Sequence, residues 1–278
     1  VRGRERSREP KDIINEIKML SEDGVKEIML LGQNVNSYGK NLEEPMSFAK
    51  LLEEIQKIEG IERIRFMTSH PKDLSDELIE VMAKSKKICR QLHLPVQSGS
   101  SRILKIMNRR YDKEHYLNLV EKIKKAMPDI SLTTDIIVGF PGETEEDFLE
   151  TMDVVQKVKY DSAFTFIFSP RVGTPACRMS DDITLEEKEQ RLYRLNELIN
   201  KYSKENNDKY LNKTVKVLLE DKSDKEGRLK GYTDTMKLVN VEADESYLGK
   251  IVDVKITDVK TWSMDAKLCK VDKKEVAL

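Results

Sequence analysis

Up to about residue 210 the chain alternates two patterns of apolar and polar positions. In PKDIINEIKMLSEDG, Ile13, Ile14, Ile17 and Leu20 form a stripe at helical spacing that stops at Gly24. KEIMLLGQN is a short apolar run broken by a glycine, which reads as a buried strand. The alternation continues through helix SFAKLLEEIQKI, strand RIRFMTSH, helix LSDELIEVMAKS and strand RQLHLPV. Helices near 101–108 and 113–127 follow, then strand SLTTDIIVGF, helix EEDFLETMDVVQKV, strand AFTFIFSP and a long charged helix over roughly 184–209. Strands separated by helices at this interval predict βα units and a parallel sheet buried on both faces. Five strands are visible and the series opens on a helix, so a first strand is expected on the N-terminal side. Periodicity leaves a doubly wound sheet and a barrel both open; either puts ligands at the carboxyl ends of the strands.

After about residue 210 the period shortens to two. TVKVLLEDKS, GRLKGYTDTMKLVNVE and GKIVDVKITDVK alternate with turn residues between them, the pattern of a small antiparallel β-barrel. The expected organisation is an α/β domain over 1–210 and an all-β domain over 211–278, without internal repeats or low-complexity tracts.

Composition narrows this picture in three ways. The 278 residues suffice for one large domain and a small one. Charged residues reach 36%, but 49 basic side chains nearly balance 50 acidic ones, so any basic surface must be local. No apolar stretch approaches the ~18 residues of a membrane span and no signal peptide opens the chain, which predicts a cytoplasmic protein with no membrane partner. The cysteines, Cys89, Cys177 and Cys269, are too far apart for a disulfide framework or a local metal knuckle. They are read as free thiols, and no metal ligands are assigned.

Candidate chemistry gathers where the strands end. Gln33, Asn34 and Asn36 follow the first visible strand, Ser69 and His70 the second, Gln97, Ser98 and Gly99 the third, Gly139, Pro141, Gly142 and Glu143 the fourth, and Ser169 and Arg171 the fifth. Polar groups and glycines on one rim make a site for a polar ligand. In TDIIVGFPGETEEDF, Gly139 and Gly142 admit close approach, Pro141 fixes the loop, and Thr144 with Asp147 suits a capping box. Taken alone this is equally a well-made β-to-α turn. Asp135 lies inside its strand, where a carboxylate must be paired or face a cavity. Ser100 or Ser101 can cap the short helix. His93, within an apolar strand, suits a satisfied core histidine, and His70 is the preferred ligand. VRGRERSR packs Arg2, Arg4, Arg6 and Arg8 into eight residues, either a solvated terminus or a bidentate anion binder.

Together VRGRERSR, LLGQNVNSYG, RIRFMTSHP, LHLPVQSGSSRILKIMNRRY, TDIIVGFPGETEEDF and AFTFIFSPRVGTPA resemble consecutive blocks of the radical S-adenosylmethionine methylthiotransferases. The tail resembles their TRAM domain, a small RNA-binding β-barrel. Within the family, Gln33-Asn34-Val35-Asn36 is similar to the MiaB-type tRNA enzymes; relatives that modify a ribosomal-protein aspartate tend to have Gln-Asp-Thr-Thr there. The resemblance implies a partial TIM-type β/α barrel, open on one side, followed by the TRAM barrel. It implies conversion of isopentenyl-adenosine beside the tRNA anticodon to its 2-methylthio form. One 4Fe–4S cluster would cleave S-adenosylmethionine reductively to a 5′-deoxyadenosyl radical, and a second would deliver sulfur. The implied partners are the tRNA anticodon stem-loop and an electron donor such as flavodoxin or ferredoxin, with the protein a monomer.

The cluster-binding Cys-x3-Cys-x2-Cys of such enzymes lies just before the arginine block, and this chain begins inside that block. The expectation is therefore a C-terminal portion, inert alone, with both clusters' ligands elsewhere. By resemblance, Gln97, Ser98 and Gly99 line the ribose and methionine side of the cofactor, and residues 131–143 lie by its adenine. The arginine run would meet the cofactor carboxylate or RNA. Lys222, Lys225, Arg228, Lys230 and Lys237, with Tyr232, would contact RNA in the tail, although Asp221, Asp224 and Glu226 nearby also suit a merely soluble surface. Rival readings are a non-catalytic RNA-binding protein with a degenerate barrel, a methylthiotransferase for threonylcarbamoyl-adenosine or a protein aspartate, and an ordinary barrel enzyme for a phosphate ester.

Overall fold

The computed structural model describes residues 6–67 and 69–269. They fall into two compact units, the first ending at Tyr202 and the second beginning at Ser203. The first unit runs α1 (Pro10–Glu22), β1 (Glu27–Leu30), α2 (Phe48–Ile55), β2 (Arg63–Phe66), α3 (Asp76–Lys84) and β3 (Gln91–His93). It continues with α4 (Ser101–Ile106), α5 (Lys113–Ala126), β4 (Ser131–Val138), α6 (Glu145–Val158), β5 (Ser162–Ile167) and α7 (Leu185–Asp208), whose last turn belongs to the second unit.

Local chemistry sets the helix starts. Side chains of Ser47, Ser75, Ser100, Asp112 and Thr144 cap α2 to α6, each accepting a backbone N–H from the first turn. Thr144 and Asp147 form the expected reciprocal capping box. In α2 the buried Phe48, Leu51, Leu52 and Ile55 follow the i, i+3, i+4, i+7 spacing of a core-facing stripe.

Strand order decides between the two architectures that periodicity left open. β1 pairs parallel with β2, and β3, β4 and β5 pair parallel in that order. A parallel bridge between Ile64 and Ile88 joins the two groups. The order thus follows the chain without the reversal of a doubly wound sheet, as in a β/α barrel. Among the described residues no pairing closes β5 onto β1, so the barrel is partial, as expected. One face of the sheet is sealed by helices: Leu132, Ile136 and Val138 share a single core with Tyr116, Phe148 and Val154. The other face of β4, carrying Thr133, Asp135 and Ile137, stays half open.

The second unit is a closed five-stranded barrel of β6 (Thr214–Lys222), β7 (Arg228–Thr233), β8 (Leu238–Glu242), β9 (Ile251–Val259) and β10 (Met264–Leu268), hydrogen-bonded in the order β10-β8-β7-β6-β9. Alternate residues, Val217 and Leu219, Val239 and Val241, Val254 and Ile256, Met264 and Ala266, fill its core. Gly231 sits where β7 crosses β6 so closely that a Cβ would lie 1.8 Å from the Leu218 carbonyl oxygen. GRLKGYTDTMKLVNVE, read as one alternating stretch, folds as two strands, because the chain reverses at Met236 with a φ of +61°. β10 was not read as a strand; MDAKL is only five residues long and two are charged. Among the described residues no helix is long and apolar enough to cross a membrane.

Candidate functional site

Because strand residues alternate faces and parallel partners share a face, the registers assign the open face residue by residue. Glu27 lies opposite Arg63 and Met29 opposite Arg65. His93 lies opposite Thr133, Asp135 opposite Phe164, and Ile137 opposite Phe166. This face carries most of its polar groups on β1 to β4 and is apolar on β5. The Glu27 carboxylate accepts from Arg65 Nε at 2.7 Å and lies 3.7 Å from Arg63. The His93 ring is held on three sides: Nδ1 is 2.9 Å from Thr133 Oγ1, Nε2 is 3.3 Å from Asp135 Oδ1, and Phe164 meets its edge at 6.0 Å between centroids. The tautomer that satisfies both polar contacts carries its proton on Nε2, donating to Asp135 and accepting from the Thr133 hydroxyl. Such a histidine is buried and fixed in orientation. Phe164 and Phe166 remain more than half exposed beside it.

His93 is buried with both ring nitrogens engaged, as expected of a satisfied core histidine. His70, preferred as the ligand, accepts the Lys72 N–H at Nδ1 and caps a short turn, while its ring packs edge-on to Tyr111. Burial, then the nearby Arg109 cation, lowers the His70 pKa and so favours the neutral ring. Gln91 with His93, and Thr133 with Asp135, are polar residues two apart on neighbouring strands, although Ser131 and Thr134 on β4 blur that alternation in the sequence.

The loops at the strand ends divide into two kinds. After β1 and β2, polar atoms are buried without partners: Asn34 Oδ1, both amide atoms of Asn36, and Ser69 Oγ. Asn34 Nδ2 donates to Asp73 Oδ2 at 2.8 Å, tying these two loops together. Each buried polar atom left unpaired costs about 1–3 kcal/mol, a debt that a polar ligand would cancel. Gln33 is exposed next to them.

After β3 and β4 the loops bond mainly within the protein, although Glu143 Oε1 is also buried without a hydrogen-bond partner. Gln97, at φ +68°, extends the β3–β4 pairing: its N–H donates to Asp135 O and its carbonyl accepts from Ile137. Ser98 is fully buried, and Gly99 N–H donates to Thr151 Oγ1 of α6. A Cβ on Gly99 would lie 2.4 Å from Glu150 O, so this position requires glycine for the close approach to α6. At Gly139, φ +68°, the space beside the Cα is filled by the Lys188 stem from α7, 2.4 Å from an added Cβ. Glu143 turns back beneath its own loop, accepting the Gly139 N–H at 2.7 Å and Arg191 of α7 at 2.9 Å. Burial raises its pKa, with both donors opposing. Glu143 is therefore a loop clasp; Pro141 is buried, and Gly142 is exposed at φ +80° with open space around it. Asp147 accepts from Ser100 Oγ and pairs with Arg102. Burial would raise its pKa, but these hydrogen bonds outweigh it and hold the carboxyl well below the usual range.

Ser169 and Arg171 are exposed after β5. Arg2 and Arg4 lie outside the described residues. Arg6 and Arg8 border a cavity of about 600 Å³ along the free edge of β1, where Leu31 is exposed; Arg8 pairs with Glu16 at 2.6 Å. In the closed barrel, Lys222 pairs with Glu245, Lys230 with Asp221, and Lys225 and Arg228 with Asp265. Lys237 is buried, which removes it from the surface set, and Tyr232 is half-buried on β7. The predicted cations thus stand in a surface of mixed sign.

The chain matches the Radical SAM superfamily over residues 1–155, more than half its length. It belongs to that superfamily. A TRAM domain matches residues 208–269, which span the closed barrel. The chain is similar to the tRNA-2-methylthio-N(6)-dimethylallyladenosine synthase of Acetivibrio thermocellus, 57% identical over 269 residues, 96% of this chain and 56% of that protein. It is 56% identical over 272 residues to the protein of the same name from Thermoanaerobacter sp. strain X514, covering 98% of this chain and 58% of that one. This radical SAM chain therefore spans just over half the length of the curated relatives it matches. Among solved structures it is similar to the radical SAM enzyme coproporphyrinogen III oxidase from Escherichia coli, at 15% identity and TM-score 0.49 over 69% of this chain and 46% of that one.

The two groups that the superfamily implies fare differently here. Among the described residues no cluster of three His, Cys, Asp or Glu is placed to hold a metal. Cys89 is buried, Cys177 exposed and Cys269 half-buried, and among the described residues they belong to no group of three metal-binding side chains, so these residues do not fit a 4Fe–4S cluster, which needs grouped thiolates. The unpaired Asn34, Asn36 and Ser69 groups do fit a polar small-molecule cofactor.

Proposed function

We propose that this chain is the barrel and TRAM portion of a tRNA methylthiotransferase that converts N6-dimethylallyladenosine to its 2-methylthio derivative. The observation that carries the reading is 57% identity maintained over 269 residues with a relative of that name, across both units. The Gln33-Asn34-Val35-Asn36 block supports this branch over those acting on threonylcarbamoyl-adenosine or a protein aspartate.

Asn34, Asn36 and Ser69 would hold the polar end of S-adenosylmethionine, answering their unpaired atoms. When bound, S-adenosylmethionine supplies the methyl group and the reactive deoxyadenosyl fragment of the family's chemistry. Phe164 and Phe166 would shield the open face from water. The substrate would be the tRNA anticodon stem-loop, with a flavodoxin- or ferredoxin-like donor supplying electrons to a monomeric, cytoplasmic enzyme.

The test uses the complete gene product, purified anaerobically and supplied with S-adenosylmethionine, a reductant and tRNA bearing N6-dimethylallyladenosine. Nucleoside mass spectrometry should detect the mass of one added methylthio group on that nucleoside. Turnover only with tRNA bearing threonylcarbamoyl-adenosine would overturn the substrate assignment.

A further inference from the structure

We infer that Trp262, at the tip of the β9–β10 hairpin, is a stacking platform for an unpaired RNA base. This rests on the proposal that the closed barrel binds RNA, and adds where and by what contact.

Thr261 and Trp262 form a two-residue connection closed by the Lys260 N–H donating to Ser263 O at 2.8 Å. The hairpin is rooted on both sides, because Val259 and Met264 flank it and are buried in the barrel core. It is also braced from below: Asn207 Nδ2 donates to Lys260 O at 3.0 Å and to Thr261 O at 2.9 Å. Asn207 itself is buried. Yet Trp262, carried on this held backbone, is 56% exposed. A large indole left open on a rigid turn loses little conformational freedom on binding, which favours a stacking contact over one that must first order a loop.

The neighbouring charges select the ligand. Lys260 Nζ lies 3.9 Å from Asp258 and 3.7 Å from Asp265, beyond hydrogen-bond distance, and remains half exposed. Asp265 also pairs with Lys225 and Arg228, so the charges beside the turn are of mixed sign and mutually engaged rather than reserved for a phosphate. A duplex presents its phosphates and keeps its bases stacked inside, so it gains little at this turn. An unpaired base presents a π face, and stacking tolerates any base and weak local charge. The geometry therefore fits single-stranded RNA, with the aromatic rather than the lysine as anchor.

Trp262 is the chain's single tryptophan, so its emission reports this site alone. Titrating the chain with an RNA stem-loop that has an unpaired loop should quench that emission; the blunt duplex of the same stem should not. Trp262→Ala should weaken stem-loop binding, followed by fluorescence anisotropy of labelled RNA, roughly 5- to 100-fold. The slope of log affinity against log salt should stay unchanged, because no phosphate contact is removed. Trp262→Phe should retain most of the affinity, and both variants should melt like the parent. If the RNA binds but the emission is constant and Trp262→Ala binds equally, the stacking inference fails while RNA binding by the barrel stands. If neither RNA binds at any salt concentration, both fail.

Discussion

Replacing Arg191 by methionine tests whether the loop after β4 is held by a buried ion pair rather than reserved for a ligand. Arg191 NH1 donates to Glu143 Oε2 at 2.9 Å and to the Glu143 carbonyl at 3.1 Å, and both side chains are buried. Arg191→Met leaves the carboxylate inside with the Gly139 N–H as its other observed donor. Breaking a buried pair from one side costs about 3–5 kcal/mol. At a few degrees per kcal/mol for a domain of this size, the first unit should melt roughly 10 °C lower. Burial already raises the Glu143 pKa, so the folded state takes up that proton more readily than the unfolded chain. Stability from this group therefore falls as pH rises from the ordinary glutamate range through the raised folded value. The Arg191→Met deficit should accordingly be smallest in mild acid and largest at neutral pH. Adding Glu143→Gln removes the stranded charge and should recover most of the loss at neutral pH. Circular dichroism melts of the single and double variants at two pH values give the answer. An unchanged melting temperature in Arg191→Met, or no recovery on adding Glu143→Gln, would refute the clasp.

Other outcomes follow from the same contacts. Gly99→Ala should destabilise the first unit by more than about 2 kcal/mol in urea melts, since its Cβ would meet α6 backbone at 2.4 Å; a neutral change would mean α6 can shift. Asp147 has a lowered folded pKa, so its contribution is present above the ordinary aspartate range and lost as pH falls; Asp147→Asn should flatten the acid limb of the stability–pH curve, and an unchanged limb would assign that limb to other carboxylates. Reconstituted anaerobically with iron and sulfide, this chain should hold no 4Fe–4S cluster, because its three cysteines are dispersed; stoichiometric iron with thiolate charge-transfer absorbance would contradict this.

Much of the fold was legible in the sequence because two periods run cleanly through it. The helical stripes, the serine and threonine caps and the buried apolar runs gave the βα series, and alternation gave the second barrel. Periodicity alone did not give the strand order, which the family resemblance implied and the Ile64–Ile88 bridge bears out. At the site, the polar strand ends were found, but their roles were not. Gly99, Gly139 and Glu143 have the residue types of a ligand loop, yet the neighbours that occupy them come from α6 and α7, far along the chain. His93 is packed, as its place in an apolar strand suggested; the register with β4 adds Thr133 and Asp135 as its partners. Trp262 escaped notice because exposure cannot be read from a turn sequence.

The most direct test of the central proposal is the nucleoside content of tRNA from the source organism with and without the gene encoding this chain. Deletion should abolish 2-methylthio-N6-dimethylallyladenosine and leave N6-dimethylallyladenosine in its place, with restoration when the gene is returned. Unchanged 2-methylthio-N6-dimethylallyladenosine in a verified deletion strain would contradict the account.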